Sequence, residues 1–174
     1  MTGSKSYDDM FLADPDFCRD EFYMERNRRL LALVDGIEFK NVLELAGASG
    51  LLAEMFLDGR SSTVRYVHSD FSSVACDLAR GHLKRFSNAE VKVIDLVEDL
   101  DEIDWGVFDL VVSTSMEHFP KGVDLKFIQR LKRGTHVLFS LARFGPTKAG
   151  HHLHPYPHPD YVRERFASLV NVKG

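Results

Sequence analysis

The stretch NVLELAGASG, residues 41–50, decides how this chain folds. Its first half, Asn41 to Leu45, is short and mostly apolar, which is typical of a strand buried in a parallel sheet. Its second half, Ala46 to Gly50, holds only small residues, and the apolar residues 51–57 after it can begin a helix. A strand, a turn of small residues and a helix make the first repeating unit of an alternating α/β protein.

Strands and helices alternate in the same way along the rest of the chain. The hydrophobic spacing predicts strands at 64–68, 91–94, 107–112 and 135–141, and helices at 14–34, 72–86, 123–131 and 159–169. Parallel strands need crossover helices and are buried on both faces. We therefore expect an α/β fold, a three-layer α/β/α sandwich around a mostly parallel, doubly wound sheet. We expect residues 1–13 to form a tail without fixed structure and residues 14–174 to form a single domain.

The composition excludes several classes of protein. Of the 174 residues, 44% are hydrophobic and 28% are charged, as in soluble globular domains. No apolar run approaches the roughly 18 residues that span a bilayer, and the N-terminus lacks the pattern of a secretory signal. We therefore expect a cytoplasmic protein with no membrane partner, in which Cys18 and Cys76 stay reduced. The net charge of −4 disfavours nucleic acid as a partner.

In doubly wound sheets, ligands bind beyond the carboxyl ends of the strands, where the strand order reverses. The residues predicted to lie there are Glu44 to Gly50, Asp70, Asp95, and Ser113 to His118. Small residues in the turn after a strand allow the backbone to approach a ligand closely at a helix N-terminus, and some positions of such a turn require positive φ.

The turn resembles the first motif of class I S-adenosylmethionine-dependent methyltransferases, an acidic residue followed by a glycine-rich turn. The family pattern is Glu/Asp-x-Gly-x-Gly-x-Gly, and this chain has Ala46 and Ala48 at the first two glycine positions and keeps Gly50. The methyl group of Ala48 introduces a conflict, because it either meets the cofactor or strains the turn. The resemblance extends over residues 14–169 and implies a Rossmann-like methyltransferase fold.

The resemblance also implies which residues bind S-adenosylmethionine. Asp70 occupies the position whose carboxylate accepts the ribose hydroxyls, Phe71 the position that packs on adenine, and Asp95 the position that receives the adenine amino group. The full cofactor-binding set implied is Glu44, Ala46, Gly47, Ser49, Gly50, Asp70, Phe71, Asp95, Leu96 and Ser113.

Catalytic and acceptor-binding residues follow from the ends of the last two strands. His118, with Glu117 beside it, is the candidate base, since a pKa near neutrality suits proton removal from a hydroxyl or amine. The histidine-rich segment 151–158 follows the fifth strand, and its residues His152, His154 and Tyr156 are predicted to line the acceptor site. Some methyltransferases bind a divalent metal through Glu-x-x-Glu-His, but Thr114 replaces the first glutamate here, so no metal site is predicted.

Two other binding functions are less compatible with this turn, and one alternative function remains open. A nicotinamide-binding Gly-x-Gly-x-x-Gly would place Leu45 where a tight turn needs glycine, and no Gly-Lys-Ser/Thr follows Gly50 to make a phosphate-binding loop. A non-catalytic methyltransferase-like module that binds a partner chain remains the alternative function, because of Ala48 and the short C-terminus. Titration with S-adenosylmethionine distinguishes these functions, because an enzyme must bind it and a scaffold need not.

The sequence gives less information about the acceptor and the partners. It lacks the Asn/Asp-Pro-Pro-Tyr/Phe motif of amino-methylating DNA enzymes, so a small molecule is the expected acceptor. Only residues 170–174 follow the last predicted helix, so the fold is expected to be truncated at its C-terminus, without the terminal β-hairpin of the family. We expect a second copy or a partner subunit to cover the sheet edge that this exposes.

Overall fold

The computed structural model describes residues 4–60, 63–141 and 156–169. Its strands are β1 (Asn41–Leu45), β2 (Arg65–Asp70), β3 (Ala89–Val93), β4 (Leu110–Ser113) and β5 (His136–Phe139). Its α-helices are α1 (Ser4–Ala13), α2 (Glu21–Ala32), α3 (Leu51–Asp58), α4 (Ser73–Leu83), α5 (Val123–Ile128) and α6 (Pro159–Phe166). Two short 3-10 helices cover Trp105–Val107 and Met116–His118. The alternation predicted from the sequence is confirmed, and β1 has the predicted bounds.

The five strands form one parallel sheet in the order β3-β2-β1-β4-β5. The order reverses at β1, which pairs with β2 on one side and with β4 on the other. In this register Glu44 lies beside His68, and Leu45 lies beside Ser113. The ends of β1, β2 and β4 therefore meet at the point where a doubly wound sheet binds ligands.

Each face of the sheet is covered by its own apolar cluster, because successive side chains of a strand point to opposite faces. Helices α2, α3 and α4 pack on one face against Val42, Tyr66 and Leu110, which are not exposed. Residues of α5, α6 and the 3-10 helix 105–107 pack on the other face, with Phe127 and Phe166 fully buried. The result is the three-layer α/β/α sandwich that the sequence predicted.

The N-terminal prediction is wrong for residues 4–13, which form α1 instead of an unstructured tail. Tertiary contacts are the reason, because Phe11 is buried and α1 packs against α4. The Asp8 carboxylate accepts a hydrogen bond of 2.5 Å from the Ser72 hydroxyl at the start of α4. These partners are more than 60 residues away, so the local sequence does not reveal them.

Two other boundaries also differ from the prediction. The helix expected from residue 14 begins only at Glu21, capped by Asp20, whose carboxylate accepts from the backbone N–H of Tyr23. Cys18, with a φ of 69°, is in the left-handed region and interrupts any helix before that point. The fourth strand begins at Leu110 rather than at 107, because residues 105–107 form a 3-10 helix.

In the described part of the chain, no helix is long and apolar enough to cross a membrane.

Candidate functional site

The turn between β1 and α3, residues 46–50, has an unusual backbone. Ala46 and Ala48 both have a φ of 52°, and Gly50 has a φ of 87°. The left-handed region costs a residue with a side chain about 1 kcal/mol or more, whereas glycine enters it freely. Ala46 and Ala48 occupy the positions at which the resembled motif has glycine. The turn therefore has a positive φ at all three glycine positions of the motif, and two of these residues are strained.

Hydrogen bonds from several elements hold this strained turn in place. The Gly47 N–H donates to the Ser69 carbonyl over 2.9 Å, and the Ala48 N–H donates to Asp70 Oδ2 over 2.9 Å. On the other side, Nδ1 of His82 donates to the Ser49 carbonyl over 2.9 Å. Strained conformations persist where the surroundings fix them in this way, and such conformations cluster at ligand sites.

A buried pair of side chains, Glu44 of β1 and His68 of β2, lies directly beneath the turn. His68 Nδ1 is 2.7 Å from Glu44 Oε2, and His68 Nε2 is 3.1 Å from the Ala48 carbonyl oxygen. Both side chains are at most 1% exposed. An ionised carboxylate and a carbonyl only accept hydrogen bonds, so beside an ionised Glu44 both ring nitrogens of His68 carry a proton. Burial lowers the pKa of His68, but the charge and hydrogen bond of Glu44 outweigh this effect and raise it.

Gly47 is required for a different reason from Gly50. A methyl group at residue 47 would clash with Cε1 of His68 and lie 2.6 Å from Cδ of Glu44. The Glu44–His68 pair therefore packs flat against the Gly47 backbone, with no room for a side chain between them. Glycine is needed at residue 47 because the Glu44–His68 pair packs against its backbone. At residue 50 it is needed because the backbone has a positive φ.

Two buried polar atoms at the turn lack partners among the described residues. They are Glu44 Oε1 and Ser49 Oγ. Buried polar atoms are nearly always hydrogen-bonded, so such exceptions need an explanation, and a bound ligand is one. Both residues belong to the cofactor-binding set implied by the sequence.

Asp70, at the end of β2, is 6% exposed and is held in one orientation by two backbone donors. Its Oδ2 accepts from Ala48 N–H and its Oδ1 accepts from Ser72 N–H, each over 2.9 Å. Burial raises the pKa of this carboxyl, against the lowering effect of these two hydrogen bonds. Each carboxylate oxygen has two lone pairs, so Asp70 can still accept hydrogen bonds from ribose hydroxyls.

Tyr7 of helix α1 contacts both the residue that follows β2 and the 3-10 helix that follows β4. The Tyr7 ring meets the Phe71 ring edge to face, with centroids 5.0 Å apart, and the Tyr7 hydroxyl is 2.8 Å from Nδ1 of His118. Burial, with the charges of Asp70 and Glu117, raises the pKa of Tyr7 to about 12. The phenol is therefore protonated at neutral pH and can donate its proton to His118. Nε2 of His118 is 3.8 Å from Oε1 of the buried Glu117.

Ser113 and the pair Asp95 and Leu96 are near these groups. Ser113, the last residue of β4, is 2% exposed, and its Oγ accepts from the Ser115 N–H. Asp95 follows Ile94, whose N–H donates to the Asp70 carbonyl, so it lies beside the end of β2. Asp95 Oδ1 accepts from Val97 N–H, and Leu96 is buried.

The predicted acceptor residues have a different outcome. Tyr156 packs in the apolar cluster of α5 and α6, 3% exposed, and its hydroxyl donates to Asp124 Oδ2 over 2.7 Å. The structure thus buries Tyr156, whose ring stacks on Phe166, and its role at the acceptor site stays a prediction. His152 and His154 lie outside the described residues. In residues 4–60, 63–141 and 156–169, no group of three His, Cys, Asp or Glu side chains has an arrangement that suits a metal ion.

Three residues that support the site were missed by the sequence analysis. His68 had a detectable signal, since a histidine inside an otherwise apolar strand needs a buried partner. Tyr7 and His82 had none, because their contacts join segments at least 30 residues apart in the chain.

Solved methyltransferase structures have the same fold as this chain. No family model matches the sequence, and no curated protein matches it. The N-methyltransferase NodS from Bradyrhizobium japonicum WM9 is similar with a TM-score of 0.71 and 20% sequence identity, over 90% of this chain and 88% of that chain. NodS in complex with S-adenosyl-L-homocysteine has a TM-score of 0.65 and 22% identity, over 78% and 71%.

A second methyltransferase structure is also similar to this chain. The O-methyltransferase from Bacillus cereus, in complex with S-adenosylhomocysteine, has a TM-score of 0.54 and 20% identity, over 66% of this chain and 55% of that chain. The chain therefore has the Rossmann-like fold of S-adenosylmethionine-dependent methyltransferases, as its turn motif predicted.

Proposed function

We propose that this chain is an enzyme that binds S-adenosylmethionine at the carboxyl ends of β1, β2 and β4 and transfers its methyl group to an acceptor. The observation that carries the proposal is the left-handed backbone at Ala46, Ala48 and Gly50. The chain has a positive φ at all three glycine positions of the motif although two of them are alanine, and strain of this kind clusters at functional sites.

The residues present fit the cofactor. Glu44 Oε1 and Ser49 Oγ are buried atoms without described partners and suit the donor and acceptor groups of an amino acid moiety. Asp70 has spare acceptor capacity for two hydroxyls, and Phe71 offers an aromatic ring beside it. Asp95 lies next in line, beside the end of β2. Ala46, Gly47 and Gly50 supply the backbone between these groups.

The chemistry requires positioning more than acid or base strength. Bound S-adenosylmethionine supplies a methyl group on a positively charged sulfur, which an aligned nucleophile can displace. For a hydroxyl or amine acceptor, a proton must leave as the new bond forms. The Tyr7 oxygen takes that proton while its own passes to His118 Nδ1, 2.8 Å away. The nearby Glu117 carboxylate stabilises the imidazolium that results.

The acceptor in this proposal is a small molecule. The net charge of −4 argues against a polyanionic acceptor. His152 and His154 stay predicted acceptor contacts. We also propose a cytoplasmic location and a homodimer in which a second copy covers β5, which pairs with β4 alone among the described strands.

Calorimetric titration of the chain with S-adenosylhomocysteine tests the binding step. We expect a single site, and we expect Asp70→Ala to weaken affinity by about 1–3 kcal/mol, because buried hydrogen-bonding groups lose their partner. Asp77→Ala, on the exposed side of α4, is the matched control and should leave affinity unchanged. Absence of binding by the wild-type chain at millimolar ligand would contradict the proposal and favour a non-catalytic module.

Tyr7→Phe tests the proton path. The phenyl ring keeps its packing on Phe71 but has no hydroxyl for His118, so methyl transfer should slow by about a hundredfold while S-adenosylhomocysteine affinity stays the same. The measurement is transfer of labelled methyl groups to acceptors in a cell extract. Tyr23→Phe on α2 serves as the control. An unchanged rate in Tyr7→Phe would remove Tyr7 from the mechanism.

A further inference from the structure

We propose that His68 is a positioning residue, which holds the Ala48 carbonyl through one ring N–H and Glu44 through the other, and so keeps the turn in its binding shape before any ligand arrives. This inference rests on the proposed function, because it assigns a role in S-adenosylmethionine binding. His68 touches the turn and not the ligand, so it acts through Ala48.

Ala48 is held at both its N–H and its carbonyl. Its N–H donates to Asp70 and its carbonyl accepts from His68 Nε2, so both ends of this strained residue are fixed by β2. His68 and Asp70 are two positions apart on that strand and therefore point to the same face of the sheet. Two side chains on the same face of β2 thus hold Ala48 in its left-handed conformation.

The cost of the pair indicates that it is kept for geometry. Burying a carboxylate and an imidazolium is expensive, and such pairs are often no more stable than apolar replacements. Glu44 and His68 are nonetheless almost fully buried, with Glu44 Oε1 left without a described partner. The pair fixes the position of the His68 ring, which packs against Gly47 and hydrogen-bonds to the Ala48 carbonyl.

The protonation of His68 links this clamp to pH. Loss of one ring proton leaves only one donor for two acceptors, so either Glu44 or Ala48 loses its hydrogen bond. Besides Glu44 of β1, its partner in the pair, the charged and titratable groups that interact with His68 or Glu44 are Asp70 and Tyr66 from β2 and Arg26 from α2. Ligand affinity should therefore fall as pH rises through the pKa of His68.

A double-mutant cycle between His68→Gln and Ala48→Gly tests the clamp. Calorimetry should show that His68→Gln weakens S-adenosylhomocysteine binding about tenfold when residue 48 is alanine. With Ala48→Gly the same change should cost less than about threefold, because glycine takes positive φ without support. Equal losses in both backgrounds, or no loss in either, would overturn the proposal.

A second measurement does not depend on the variants folding or on ligand binding. Nitrogen NMR of the wild-type side chain at pH 6 should show both ring nitrogens of His68 protonated, and a ring with one protonated nitrogen would overturn the proposal. If the wild-type chain binds no S-adenosylhomocysteine, the proposed function fails. If it binds and His68→Gln binds equally well at every pH, the function stands and only the role of His68 fails.

Discussion

Two buried acids, Glu44 in β1 and Asp124 at the start of α5, are stabilised in different ways. Asp124 receives donors on both oxygens: Arg165 Nε at 2.6 Å and the Tyr156 hydroxyl at 2.7 Å on Oδ2, and Arg165 Nη2 at 2.7 Å on Oδ1. Glu44 has His68 on one oxygen, and its other oxygen has no hydrogen bond of good geometry among the described residues, although burial and the charge of Glu44 raise the pKa of the nearby Tyr66 phenol.

The difference separates a structural pair from a functional one. Arginine is always charged and its planar fork matches a carboxylate, so Asp124 and Arg165 join α5 to α6 at any ordinary pH. Burial raises the pKa of Asp124, but Arg165 and Tyr156 outweigh this and lower it. Histidine titrates near neutrality, and the incompletely bonded Glu44–His68 pair lies under the candidate cofactor turn. We therefore assign the Glu44–His68 pair to the proposed ligand site and the Asp124–Arg165 pair to the scaffold.

The largest effect is expected from Asp124→Ala. It leaves a partly buried guanidinium and a buried phenol without their acceptor, so the free energy of unfolding should fall by about 3 kcal/mol in urea denaturation. Asp160→Ala is the control, because its ion pair with Arg163 is exposed and should contribute less than about 1 kcal/mol. A loss below 1 kcal/mol for Asp124→Ala would mean that the saturated pair is not structural.

A gain in stability is expected from glycine in the turn. Ala48→Gly, and separately Ala46→Gly, should raise the free energy of unfolding by about 1 kcal/mol, because each removes a Cβ from a left-handed residue. Ala32→Gly at the end of α2, where φ is helical, should lower it by up to about 1 kcal/mol. If the turn variants also destabilise the chain, these alanines are not strained. The hydrogen bonds from β2 to Ala48 would then not be needed to hold a strained residue.

The smallest effect is expected from pH, and it has opposite signs for the two pairs. The pKa of His68 is raised on folding, so its contribution is full below the unfolded value of about 6.5 and is lost as pH rises through the folded value. The pKa of Asp124 is lowered, so its contribution is present above about 3.9 and is lost as pH falls through its folded value.

Urea denaturation of the wild type and His68→Gln between pH 6 and 9 measures the first of these effects. The stability difference between them should shrink as pH rises. Asp70, whose pKa is raised by burial, is common to both chains and should largely cancel in the difference. A difference that stays constant over the range would show that folding does not raise the pKa of His68.

Much of the fold was readable from short segments. The strand Asn41–Leu45 and the helix after Gly50 were predicted almost to the residue, because apolar spacing and small turn residues act locally. Residues 4–13 were read wrongly as a tail, since Phe11 is buried only by tertiary contacts. The position of Tyr156 after the fifth strand predicted a place at the acceptor site, but its burial against Asp124 and Phe166 could not be predicted from the sequence.

The sequence alone determined the alternating sheet and placed Gly50 and Asp70 at the strand ends, because periodicity and turn chemistry depend on near neighbours in the chain. Only the tertiary structure decided that Ala46 and Ala48 take the left-handed backbone of glycine, and that Tyr7 reaches His118 across 111 positions. Those outcomes depend on hydrogen bonds between distant segments, whose free energy exceeds the local preference of each residue and leaves no trace in residue spacing.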